Sequence, residues 1–534
     1  MSRMFGSRIV LWGLFTLLLC LPLKTHAQTI NAATCNNTDV QAALNSVTAD
    51  GAVVNVPAGT CTWSAPVNYT QVFSTTIQGQ STCTGTGTLS PVCTDSTTVA
   101  GSEYYFTVKT AAGKALRITG FTFQVSSTFN GLLRITGPST QLRLDHNHFY
   151  HMQAIAIIDG PLGVADHNYF DMNTTQSVFN GLRLKQNAWN GFNWGDGSWA
   201  DDSHWGTSKF FFFEDNTVYN GFVDDCDTGA RFVMRHNFFR DATIQGHEMA
   251  GRWNGCRAME VYSNTFLADE AGSANIADAI LIRTGTGLYW GNTVQSSGGF
   301  VYGDFIKSNN DRSNTSHGFS PANYSGCVAA AGSYSCWGYA CNNAGLPNGT
   351  DCGPLNSLAN SLSGFDGNTD LYGYPALEQV GRGKAAIQFP NFDFNNPSFW
   401  TTQPVWPQNQ LEPLYMWLNT LGSTAQRGAI FGSNLYQQNR DWYSDSGCTT
   451  AGGAQTGGVC TGLLSQRQTN CAAGPGGNTF GVTFWATDTN TLYVCDSTNH
   501  WSTYYTPYTY PHPLVSGSGT QNVTPPTNLN AVVQ

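Results

Sequence analysis

The run Leu144-Asp145-His146-Asn147-His148-Phe149 is answered 21 residues later by Asp166-His167-Asn168-Tyr169-Phe170, and the phrase keeps returning. Its constant part is Asn, any residue, then Phe or Val. Further copies are Glu214-Asp215-Asn216-Thr217-Val218, Arg235-His236-Asn237-Phe238-Phe239, Tyr262-Ser263-Asn264-Thr265-Phe266 and Trp290-Gly291-Asn292-Thr293-Val294. The Asn positions are separated by 21, 48, 21, 27 and 28 residues. The 48 reads as two periods, with Asn187-Ala188-Trp189 as a degenerate copy between them. Upstream, Phe121-Thr122-Phe123 holds the same register 26 residues before Asn147, with Phe in the Asn slot.

A period in the twenties signals a stacked repeat. It is too short for two helices with turns, and the residues within it favour strands: GLLRIT, RFVMRHNFF, AMEVYSNTF. One period holds about three short strands. Stacking puts each Asn above the next at about 4.8 Å, with the amides bonded into a ladder. The residue two beyond each Asn shares its side and is apolar, so that side is interior. An interior Asn survives because its ladder neighbours satisfy it, which makes these residues structural. The expectation is an all-β parallel β-helix.

Composition sets the bounds around that core. Of 534 residues, 41% are hydrophobic and only 11% charged, against roughly 25% charged in a typical soluble domain. The 58 Gly, with abundant Asn, Ser and Thr, suit strands joined by tight turns. The formal charge of −10 argues against nucleic acid as a partner. Any acidic ligand needs a local cluster of cations.

Arg3 and Arg8 precede an apolar run from Ile9 to Leu23, and Thr25-His26-Ala27 supplies a cleavage site, which reads as a signal peptide over residues 1–27. Its removal takes three cations and leaves the remainder at −13. No later stretch reaches the ~18 apolar residues of a spanning helix, so no membrane association is expected after processing. Setting Cys20 aside, 14 cysteines remain, an even number that implies a disulfide framework in a secreted, extracellular or periplasmic protein. They cluster locally, and the pairing is open.

The expected organisation is a repeat domain over residues 28–440, interrupted by a stapled loop at about 307–365. A small Cys-, Gly- and aromatic-rich β region follows over 441–515, then a disordered tail over 516–534. The stretch TDVQAALNSVTADGAVVNVPAGT reads as an amphipathic helix and a strand capping the first repeat. Phe484 to Tyr493 reads as a β-hairpin.

The signal peptide, capping helix, TIQG entry and Asn-x-Phe ladder resemble the pectate-lyase-like superfamily of right-handed parallel β-helix proteins. The phrases WGTSKFFFFEDNTV, DTGARFVMRHNFF, GRWNGCRAMEVYSNTF and YPALEQVGRGK are similar to those of its secreted bacterial members. The resemblance covers roughly Ile30 to Asn419. It implies a right-handed single-stranded helix of strands with an N-terminal capping helix and a small disulfide-rich C-terminal β piece. It also implies polysaccharide chemistry on one outer face, since members of this fold include lyases, hydrolases and non-catalytic proteins.

β-Elimination on a polyuronate needs a cation against the carboxylate and a base for the C5 proton, roles that calcium and an arginine fill in pectate lyases. The densest cluster lies between Asp224 and Arg257. Asp225 and Asp227 flank Cys226; with Cys226 facing in, both carboxylates face out as Ca²⁺ ligands. His247 is the candidate proton-transfer group, with Arg252 and Arg257 as catalytic partners. Substrate contacts are expected from Glu248, Trp253, Arg283 and Trp205, with DDSHWGT (Asp201 to Thr207) as a groove wall and Trp199 and Trp205 as sugar-stacking platforms. Glu378 and Arg382 lie near the end of the repeats. The bland alternatives are a turn at the Asp pair and ladder ion pairs for the arginines.

The functional expectation is a monomeric polysaccharide lyase acting on an acidic polymer. The alternatives are a glycoside hydrolase on the same scaffold and a non-catalytic glycan-binding surface protein.

Overall fold

The computed structural model describes residues 28–101, 105–125, 133–150, 154–172, 180–186, 189, 195–224, 226–246, 255–269, 278–308, 380–384, 387, 410–422, 427–431 and 437–516. These residues are all-β, dominated by two long parallel sheets. The first has twelve strands, from Thr29–Asn31 through Leu142–Asp145 and Phe211–Glu214 to Trp442–Ser444. The second is assembled from two adjoining rows. One row runs from Gly59–Trp63 through His148–Tyr150 to Thr420–Leu421; the other runs from Val67–Thr70 through Asn180–Lys185 to Arg427–Phe431. Thr217–Asp224 and Phe238–Gly246 are long enough to belong to both rows, which merges them into one sheet.

The chain visits the three rows in a fixed cycle: first sheet, second row, third row, and back. Neighbours within a row stay in register, as in Arg117↔Arg143 and Ile118↔Leu144. Alternate apolar residues from all three rows, among them Ile118, Phe123 and Ile135, join one buried core. The corner between first sheet and second row explains the recurring phrase. The residue before each Asn is left-handed, with φ of 53° to 57° at His146, His167, Asp215, His236 and Ser263. A short corner of this kind leaves amide groups unpaired, and the Asn side chain supplies the missing bonds. Asn147 Nδ2 donates to Asn168 Oδ1 (3.1 Å), and the ladder continues through Asn216, Asn237, Asn264 and Asn292.

Two expectations about this ladder change. Asn168 bonds directly to Asn216, and Gly163–Asp166 pairs directly with Phe211–Glu214, so the 48-residue interval is one repeat carrying an insertion. A seventh Asn was missed: Asn292 Nδ2 donates to Asn419 Oδ1 (2.9 Å) across 127 residues. The phrase Trp417-Leu418-Asn419-Thr420-Leu421 copies Trp290-Gly291-Asn292-Thr293-Val294 once that insertion is allowed for.

The helix expected near the N-terminus is Asn37–Asn45, burying Val40, Ala43 and Leu44 against the core. Five disulfides join described cysteines: Cys35–Cys61, Cys83–Cys93, Cys226–Cys256, Cys448–Cys460 and Cys471–Cys495. That number fits an oxidising compartment. No described helix is long and apolar enough to cross a membrane. The signal peptide, the four cysteines between 327 and 352, the copy at Asn187 and the tail beyond Ser516 lie outside the described residues.

The C-terminal region lies on the outer side of the first sheet. Its four-stranded sheet contains the expected hairpin, Thr483–Ala486 against Thr491–Ser497. Trp485, Leu492 and Tyr505 join Phe210, Phe212, Val233, Leu288 and Trp417 in a second buried cluster. Beyond it, residues 508–515 run as a strap: Arg235 donates to the carbonyls of Tyr508 and Thr509, the His512 amide to Glu214, and Arg143 to the carbonyl of Leu514.

Candidate functional site

The third row presents a different outer face. Its core-facing residues alternate with cations: Leu182 and Leu184 are buried, while Arg183 and Lys185 lie between and beyond them on the opposite side. Register carries the pattern along the row. Arg134 and Arg183 both pair with Ile157, Lys109 shares a line with Thr136, Asp159 and Lys185, and Leu281 pairs with Lys307. Arg283 continues the outward alternation after Asp278–Ile282, its amide bonded to the Gly246 carbonyl. Six cations of an acidic chain therefore line one side of one row.

Chain connects second row to third from Val125 to Leu133, Asp171 to Asn180 and Ala268 to Asp278. At Thr217–Asp224 and Phe238–Gly246 the strand runs straight through, turned only by left-handed residues at Asn220, Gly221 and Asp241. Along the row these two strands stand between Arg134, Arg183 and Lys185 on one side and Arg283 and Lys307 on the other.

The carboxylates on this face are engaged. Asp227 is 1% exposed and faces Lys185 Nζ at 3.2 Å and Arg183 Nη2 at 3.4 Å. Asp278 lies 3.5 Å from Lys307 Nζ. Burial, with the neighbouring Asp304, pushes its carboxyl up to about 6 despite Lys307.

Of the residues expected to act, Asp227 and Arg283 share this face. Cys226 does face the core, as the Asp pair requires, and is bonded to Cys256. Asp225, His247, Glu248, Arg252, Trp253 and Glu378 lie outside the described residues. Arg257 is elsewhere and buried. Its Nη2 bonds Glu412 (2.9 Å) and the Asp201 carbonyl (3.1 Å), and its ring neighbour is Trp199. A guanidinium so enclosed ties the 201 and 412 segments together and does not face a substrate, so its catalytic assignment is withdrawn. Arg382 is likewise buried, paired with Asp441 at 2.6 Å. Trp205 is no sugar platform: its indole N–H donates to the Tyr504 hydroxyl beneath the C-terminal sheet. Trp199 is also buried.

Of the two expected calcium ligands only Asp227 lies among the described residues. Asp227 already holds two cations, and among the described residues no three His, Cys, Asp or Glu groups are placed to share a metal. Sequence reasoning missed Lys109, Arg134, Arg183, Lys185 and Lys307. The signal was present in the alternation of GLRLK and DFIK, strands whose outward positions carry cations.

No protein-family model, no curated protein and no solved structure matches this chain.

Proposed function

We propose that the chain is an exported right-handed parallel β-helix whose third-row outer face binds an acidic, uronate-containing polysaccharide and cleaves it by β-elimination. The observation that supports this is the gathering of Lys109, Arg134, Arg183, Lys185, Arg283 and Lys307 along one face of a chain with 24 cations against 34 acids. An extended polyanion lying along the row meets cations on both sides of Thr217–Asp224 and Phe238–Gly246.

In this reading Arg283 pairs with a uronate carboxylate, drawing charge from C5 as its proton leaves. His247, which follows Gly246, is the base. The C5–H electrons form the C4–C5 double bond while the C4–O4 bond breaks, and the departing oxygen takes a proton. No step is assigned to calcium, because Lys185 and Arg183 would first have to release Asp227. That neutralisation favours a second reading, a protein that binds the polymer without cleaving it.

The test is ultraviolet absorbance of the unsaturated uronate on a panel of acidic polysaccharides, with Ca²⁺ or chelator. A rise lost in Arg283→Ala and His247→Ala supports the lyase. Binding with unchanged polymer length leaves the second reading, and shortened polymer without the absorbance identifies a hydrolase.

A further inference from the structure

The left-handed corner that carries the Asn ladder carries a second, exposed column. His146 and His167 occupy equivalent corner positions on successive repeats, with imidazole rings 5.2 Å apart and 2° from parallel. Each Nδ1 is held by the carboxylate before it: His146 on Asp145 at 2.8 Å and His167 on Asp166 at 2.9 Å. Both carboxylates are fully buried and anchored by arginine, Asp145 by Arg117 and Asp166 by Arg143. Burial would raise the Asp145 carboxyl, yet Arg117, His146 and Arg143 hold it below the ordinary carboxylate range, so it stays an acceptor. The histidine side chains are 41% and 36% exposed. Among the described residues neither Nε2 has a hydrogen-bond partner.

An imidazole whose Nδ1–H rests on a carboxylate, with Nε2 bare and outward, is the arrangement of a metal-ligating histidine, because the outer partner fixes the tautomer and raises basicity. Here it occurs twice, side by side and facing the same way. We propose that His146 and His167 together bind one divalent transition-metal ion through their Nε2 atoms, with water completing the shell. Adjacent bonds of about 2.1 Å place their nitrogens roughly 3 Å apart, so the parallel rings must tilt toward each other to bring the two Nε2 atoms together, pivoting on their carboxylates. The pair is thus a site that closes on its ion. Nitrogen donors select Cu²⁺, then Ni²⁺ and Zn²⁺, over Ca²⁺ or Mg²⁺. The next corner residue, Asp215, accepts from the Tyr510 hydroxyl at 2.8 Å, and the third histidine, His236, lies under the Tyr510 ring at 3.7 Å, so the column narrows to this pair. His236 follows Arg235 and has no such carboxylate before it.

The experiment is Cu²⁺ titration of the intact protein in a non-coordinating buffer, followed by calorimetry and electron paramagnetic resonance. One equivalent should bind with two nitrogen donors. His146→Ala and His167→Ala should each weaken it at least tenfold and leave one nitrogen. Affinity should fall as pH drops and protons compete for Nε2. Added Cu²⁺ should raise the melting temperature of the parent and leave that of either variant where it stands without metal. Cu²⁺ binding unchanged in the double variant would overturn the site, as would saturation by Ca²⁺ at the same equivalent.

Discussion

Asn264 shows what one ladder residue holds together. Its Oδ1 accepts from the amide and the side chain of Asn237, and its Nδ2 donates to Asn292 and to the Met234 carbonyl. Asn264→Leu orphans these buried groups at about 1–3 kcal/mol each, so a loss of at least ~3 kcal/mol is expected in urea unfolding. Glu260 makes the opposite point. It is buried, accepting from the Gly206 amide at 2.8 Å and the Tyr505 hydroxyl at 3.0 Å, and burial pushes its carboxyl up to about 7. The folded chain keeps a proton that the unfolded chain releases, so stability falls as pH rises from its ordinary value of 4.5 to about 7. Glu260→Gln should remove a decline of order 3 kcal/mol, seen as a flatter dependence of melting temperature on pH. The Asn ladder was legible because a buried amide needs an identical neighbour, which forces repetition. Asn419 was not, because the insertion within its 127-residue interval from Asn292 hides the period. Arg257 misled because charge density in sequence does not tell which side of a strand meets solvent.

Phe210 to Phe213 form an element whose meaning is plain only in the fold. Phe211 and Phe213 face the main core, while Phe210 and Phe212 face the C-terminal sheet. A strand apolar on alternate positions needs one cover; a strand apolar throughout needs two. The run FFFF therefore announced that the outer side of the first sheet is covered, information that separate reading of the C-terminal region overlooked. Phe212 packs its ring 5.1 Å from Tyr508 and 4.7 Å from His512, with the Arg235 guanidinium at 4.9 Å. Phe212→Ala is expected to cost about 3–5 kcal/mol. It should also loosen the strap, so limited proteolysis should cut between residues 505 and 515 in the variant well before the parent.

Across the whole molecule, one outer face is covered by aromatic packing and another is set with cations. Polyanion binding by the cationic face should be salt-dependent, since its charges act at the surface. Arg183→Ala together with Lys185→Ala should weaken polyuronate affinity about tenfold at low salt, with much less effect at 0.5 M, as measured by affinity electrophoresis. It should also leave Asp227 buried without its cations, so unfolding must be followed in parallel. The strap adds a matter of timing. His512 meets Glu214 across 298 residues of chain. At roughly 5–20 residues per second, a ribosome that has finished Phe212 needs about 15–60 s more to deliver its cover. For that interval a greasy ribbon stands uncovered, and a cell making this protein must shelter it until the last residues arrive.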